Sequence, residues 1–176
     1  RQRTALTETV ANYRKATGLA DQTKGRLARG VERLRLQIAF AHALMTAQGY
    51  GAAEPTAAFL RARELAQETE DCAERFAVFN GLWINSLTRG EGPQTREHAL
   101  AFLRSVSDRA PSPEVALAYT AVGLTCTFEG EFKAARTHLL RAVEIDPGEL
   151  DRPPPYLSGY NHSITSLANL AQPLLI

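Results

Sequence analysis

Residues 112–147 read SPEVALAYTAVGLTCTFEGEFKAARTHLLRAVEIDP, and their spacing decides the fold. Val115, Tyr119, Val122 and Cys126 recur at steps of four and three, which sets them on one stripe of a helix. Ser112 suits the N-cap of that helix. Pro113 suits its first position, where a fixed φ and a missing N–H cost nothing. Glu129-Gly130-Glu131 reads as a tight turn. Phe132, Ala135, Leu139, Ala142 and Val143 then line a second helix, which Pro147 ends. Gly123 and Ala135 are small and are expected to let the two helices approach closely, while Tyr119, Val122 and Leu139 fill the space between layers.

The same helical spacing extends in both directions. Leu6, Val10 and Tyr13 mark a first helix. Leu27, Val31, Leu34, Ile38, Ala41 and Met45 mark a second, which stops at Gly49-Tyr50-Gly51, where glycine permits a left-handed cap. Pro55 opens a helix carrying Phe59, Ala62, Leu65 and Ala66. Glu70 and Asp71 precede another, with Phe76, Phe79, Leu82, Trp83 and Leu87 on its apolar stripe; carboxylates there act as caps and complement the helix dipole. After the turn Gly90-Glu91-Gly92-Pro93 comes a helix with Ala99, Phe102, Leu103 and Val106, closed by Pro111. Residues 148–158 form a loop around Pro153-Pro154-Pro155. A last helix, beginning near Gly159, carries Ile164, Leu167, Ala168, Leu170 and Ala171, and Pro173 is expected to distort or end it. No segment alternates with period two. The expected fold is therefore all-α: seven to eight helices joined by short turns, with neighbours antiparallel.

Residues Tyr119-x2-Val122-Gly123-x2-Cys126, then Ala135-x3-Leu139, Ala142 and Pro147, resemble the tetratricopeptide pattern of W-x2-L-G-x2-Y, A-x3-F and P over about 34 residues. The strongest unit is 114–147. Phe79-x2-Leu82-Trp83-x2-Ser86 with Ala99-x3-Leu103, Val106 and Pro111 is a degenerate second unit, in which Trp83 stands where glycine is usual. Ile38 to Glu70 keeps helix, glycine turn and helix, without the small-residue contacts. The resemblance implies one domain over 1–176, its helix pairs stacked as a right-handed solenoid. The chain is also similar to the helical-repeat region that follows an ATPase module in bacterial multidomain signalling proteins, among them adenylate or guanylate cyclase-like proteins and ATPase-linked transcription regulators. That likeness lies in Leu34-Arg35-Leu36-Gln37-Ile38-Ala39-Phe40, Ala43-Leu44, Gly49-Tyr50, Ala62-Arg63-Glu64-Leu65, Gly81-Leu82-Trp83 and Gly130-Glu131-Phe132-Lys133-Ala134-Ala135-Arg136. It implies a regulatory arm, with catalytic or DNA-binding parts elsewhere in a parent protein. A first residue of Arg1 rather than Met agrees with a fragment.

Composition fits a globular domain: 44% apolar, 22% charged and 7% aromatic residues. No stretch approaches the length of a membrane span. Cys72 and Cys126 lie far apart among apolar residues and read as buried free thiols, which suits a reducing, cytoplasmic setting. A net charge of +1 argues against an extended nucleic-acid surface. Up to Arg35, however, there are nine basic and three acidic residues, a balance of +6. That bias reads as a solvated helix face or as a docking surface for an acidic neighbour.

Little in the sequence looks like a reactive constellation. His42, His98, His138 and His162 show no metal-ligand spacing, and neither H-E-x-x-H nor C-x-x-C occurs. No phosphate loop is present. Ser158, Asn161 and His162 sit close in sequence, but a triad is assembled in space, and Ser and Asn are natural caps where a helix begins. Trp83 shares a stripe with Phe76, Phe79 and Leu87 and reads as core. Neither an enzyme, nor a cofactor, nor a metal is expected.

The productive surface of a repeat stack is its concave groove. By the resemblance, Leu117, Thr120, Leu124 and Thr127 should face it in the strong unit, and Asn80, Ile84 and Leu87 in the unit before. Members of the family that clamp a peptide carboxylate use Lys and Arg with Asn there, and only Asn80 fits. The expected role is a protein-interaction or regulatory scaffold. Its partner is an apolar helix or segment, or the groove packs against neighbouring repeats and domains of the parent. A small-molecule-sensing bundle and a nucleic-acid-contacting arm are the alternatives. Leu167, Leu170 and Leu174 lack a following helix to cover them, so self-association as a two-fold dimer is expected through the last helix.

Overall fold

The computed structural model describes residues 2–22, 28–69, 74–145 and 162–174. They form eight helices: α1 (Gln2–Gln22), α2 (Ala28–Gln48), α3 (Ala53–Gln67), α4 (Glu74–Thr88), α5 (Gly92–Val106), α6 (Pro113–Phe128), α7 (Phe132–Ile145) and α8 (His162–Leu174). The protein is all-α, with no strand among the described residues. Where the sequence reads as one repeat domain over 1–176, the contacts fall into two compact units, Arg1–Arg89 and Gly90–Ile176. The degenerate unit anticipated from Phe79 to Pro111 runs across this division. Pro147, the loop 148–158, Glu70, Asp71, Cys72 and the Ser158–Asn161 stretch lie outside the described residues.

The turns form where the sequence places glycine. Gly130 has φ of +78°, a conformation that Cβ-bearing residues disfavour. It closes α6 with N–H bonds from Gly130 to the Thr127 carbonyl (3.1 Å) and from Glu131 to the Cys126 carbonyl (2.8 Å). Gly49 and Gly90 also have positive φ. At the other end of α6, the extended Ser112 accepts the Val115 N–H on its hydroxyl at 3.4 Å, and Pro113 starts the helix. Two proline readings shift slightly. α3 begins at Ala53, two residues ahead of Pro55, and α8, described over His162–Leu174, includes Pro173.

In the first unit each helix packs on the next, and α2 also reaches α4. Leu34, Ala41, Leu44, Phe59 and Ala62 are fully buried, and Trp83 joins that core at 4% exposure, as its stripe implies. α4 seats Gly81 directly on the Phe59 ring: a Cβ there would lie 2.2 Å from Phe59 Cε1. The sequence reading placed Trp83 at the glycine position of this helix, but Gly81 is the residue in close contact.

The second unit repeats the arrangement, with α6 reaching α8 as well as α5 and α7. Every residue of α6 from Val115 to Thr127 is buried except Tyr119. Gly123 is the close-approach point, as anticipated, but against Leu139 rather than Ala135. A Cβ at Gly123 would sit 2.6 Å from Leu139 Cγ and 3.2 Å from its backbone nitrogen. The first unit has a counterpart. His42 stands seven residues before Gly49, as Gly123 stands seven before Gly130, and its ring meets Phe59 edge-on at 5.3 Å.

Three of the basic residues up to Arg35 are paired within the chain. Arg14 pairs with Glu54, Arg33 with Asp21 (2.6 Å) and Arg35 with Glu74 (2.6 Å). The Arg33 hydrogen bond, aided by Arg61, holds the Asp21 carboxyl below its ordinary range. Gln48, and then Arg14, do the same for Glu54. Each pair keeps at least one partner open to solvent and adds little stability, but it occupies an arginine charge that a bound polyanion would need.

Candidate interaction surface

On α4 the spacing of Asn80, Ile84 and Leu87 sets three side chains on one stripe, and all three are half-buried. The helix beneath the stripe is packed. Asn85, wholly buried behind it, donates to the Gly81 carbonyl at 2.7 Å and touches Met45 Sδ at 3.6 Å. Sequence reasoning missed Asn85. A lone amide on an apolar face gives no signal until its partner across 40 residues is known.

The corresponding set on α6 is not a groove. Leu117 and Thr120 are 1% and 2% exposed, and Leu124 and Thr127 are buried too. The expectation of an open lining there is corrected, and the cause is physical. α8 lies against α6, bringing the Ser166 hydroxyl to 2.7 Å from that of Thr120. The hydroxyls also turn back on their own helix: Thr120 donates to the Ala116 carbonyl and Thr127 to the Gly123 carbonyl, both at 2.9 Å. No polar atom of this set is aimed outward for a partner.

The self-association stripe divides as well. Leu167 is 53% exposed, but Leu170 is 4% exposed, buried in its own unit, and so cannot belong to a free apolar patch. The Leu174 side chain lies outside the described residues. Leu170→Glu is therefore expected to lower the stability of the second unit by more than about 2 kcal/mol, since it loses a buried leucine and inserts a carboxyl. Leu167→Glu should leave the melt nearly unchanged. Circular dichroism melts of the two variants check this; equal behaviour would contradict the placement of α8.

Other exposed apolar side chains are scattered along the helices, with Phe128 at 71% and Leu140 at 40%. Arg96 of α5 clamps the α6–α7 turn through Glu129 and Glu131 (2.8 Å), which pushes the Arg96 pKa up and holds the Glu131 carboxyl low. Cys126 is a buried free thiol whose pKa is raised, chiefly by burial. His42 and His138 are both shifted down by burial, His138 beside the Tyr119 ring at 5.9 Å. Among the described residues no group of three or more His, Cys, Asp or Glu is placed to hold a metal ion, and no helix is long and apolar enough to cross a membrane. No protein-family model, curated protein or solved structure matches the chain.

Proposed function

We propose that this chain is a protein-interaction and regulatory scaffold segment of a bacterial signalling protein, a tetratricopeptide-like arm that engages an apolar helix or segment, or a neighbouring domain of its parent. The observation that carries this reading is the half-buried Asn80, Ile84 and Leu87 stripe of α4. It presents two aliphatic side chains and one amide at helical spacing, above a base fixed by Asn85 and by the Gly81–Phe59 contact. Such a stripe suits an amphipathic helix laid along it, with aliphatic anchors supplying affinity and the amide supplying register. The helix-pair packing in each unit, with α2 reaching α4 and α6 reaching α8, favours a stacked-repeat origin. The ion pairs of Arg14, Arg33 and Arg35 weigh against a nucleic-acid arm.

A photo-crosslinking amino acid placed at Ile84 of the parent protein in cells tests the surface, with Arg136 on α7 as the control position. Discrete protein adducts, or a crosslink within the parent, are expected from position 84 and absent from 136. Identical patterns from both positions, or none from 84, would sink the assignment.

A further inference from the structure

The first unit contains one histidine, and its surroundings suit only one charge state. His42 projects from α2 onto Phe59 of α3, with the two rings perpendicular and 5.3 Å apart. Phe59 has no room to retreat, since it is fully buried and Gly81 of α4 is pressed against it. The Nε2 atom of His42 is sealed from solvent and has no hydrogen-bond partner among the described residues. A neutral imidazole with its proton on Nδ1 tolerates this, because Nε2 then carries only a lone pair. An imidazolium must carry N–H at both nitrogens, so a charged donor would be shut in without an acceptor.

Among the described residues, no charged side chain of the packed helices relieves that state. From α1, Arg14 lies over the Phe40 ring at 5.9 Å and is paired with Glu54, the charged group at the start of α3. Arg61, farther along α3, is held by Glu64 (2.8 Å) and Asp21 (3.5 Å). α4 has no ionisable side chain between Phe76 and Thr88.

We propose that His42 is an acid-sensitive joint: its protonation loosens the α2–α3–α4 packing of the first unit. The surroundings lower the His42 pKa through burial alone, in agreement with the geometry. The sign follows from linkage. The unfolded chain takes up the proton near the ordinary value of about 6.5, before the folded chain does. Stability is therefore full above that value and declines as pH falls through it toward the lower folded pKa. Below the folded pKa the loss is complete and constant. A descent from neutral to mildly acid conditions would thus favour the open form of this unit.

The chain carries its own reporter. Trp83, the single tryptophan, is buried in α4 of the same unit, and the other three histidines lie beyond Arg89. Urea unfolding of the whole chain, followed by Trp83 fluorescence at pH 7.5 and 5.5, is expected to show a lower midpoint in acid, by roughly a few tenths molar or more. His42→Phe and His42→Gln should each remove most of that difference. A His42 ring-proton NMR titration, assigned by its loss in His42→Gln, keeps the test decisive if either variant folds poorly. A His42 pKa at or above the ordinary value would overturn the proposal, showing the cation to be accommodated by the Phe59 ring face. A pH-dependent midpoint that persists in both variants would overturn it equally.

Discussion

Gly123→Leu is expected to unfold the second unit or bring it close to unfolding. The position allows no side chain: Leu139 Cγ and Cδ2 would lie 2.6 and 2.8 Å from a Cβ, and the Leu139 backbone nitrogen 3.2 Å. Leu139 could swing only by vacating a fully buried site, and its backbone cannot move without displacing α7. A leucine adds three more carbons to that crowded contact. Overpacking of a well-filled core costs about 1–3 kcal/mol, and this insertion belongs at or above the top of that range. A unit of this size has roughly 4–13 kcal/mol of stability in total, so the loss is a large share. Circular dichroism should show the melting midpoint of the second unit falling by about 10 °C or more. Trp83 fluorescence, which reports the first unit, should change far less. An unchanged midpoint would mean that α6 and α7 are not in this register.

That register was legible because it depends on local signals. Ser112-Pro113, Gly130 and the alternation of Val115, Tyr119, Val122 and Cys126 each fix one end or face of a helix within a few residues. The same holds for Gly49 and Gly90, whose left-handed backbone follows from the absence of a side chain. The expected groove failed for a reason the sequence also contained. α6 holds one charged residue, Glu114, and is apolar or weakly polar all round. A helix with no polar face is a buried helix. Leu117, Thr120, Leu124 and Thr127 are buried accordingly, and the repeat-family groove does not carry over to them. Leu170 illustrates a different failure. Periodicity shows that a leucine belongs to an apolar stripe, but not which edge of the stripe a neighbouring helix covers. The inward ion pairs of Arg14 and Arg35 join residues 40 and 39 positions apart, and no local pattern announces them. Gly81 was not legible because Phe79-x2-Leu82 matches the repeat pattern and sets Trp83, two residues further on, at its glycine position.

The largest effect in the first unit is expected from Phe59, and it carries a test of Gly81. Phe59→Ala should cost about 3–5 kcal/mol, because the ring is fully buried between α2 and α4 and its neighbours cannot collapse onto the space it leaves. Gly81→Ala in the native background should also destabilise. An alanine gains about 1 kcal/mol of helix propensity over glycine. Its Cβ, however, meets the Phe59 ring at 2.2 and 2.5 Å, a clash that outweighs the gain. The two substitutions are therefore not independent. Once Phe59→Ala has removed the ring, Gly81→Ala has nothing to strike, places a methyl group in the cavity and keeps its propensity gain. Its effect should change sign, from destabilising in the native background to stabilising by about 1 kcal/mol or more in the Phe59→Ala background. Urea unfolding of all four proteins, read by Trp83 fluorescence, completes the double-mutant cycle. Additive single effects would show that Gly81 and Phe59 do not touch. A sign reversal would place α3 and α4 in the contact that supports both the Asn80, Ile84 and Leu87 stripe and the His42 joint.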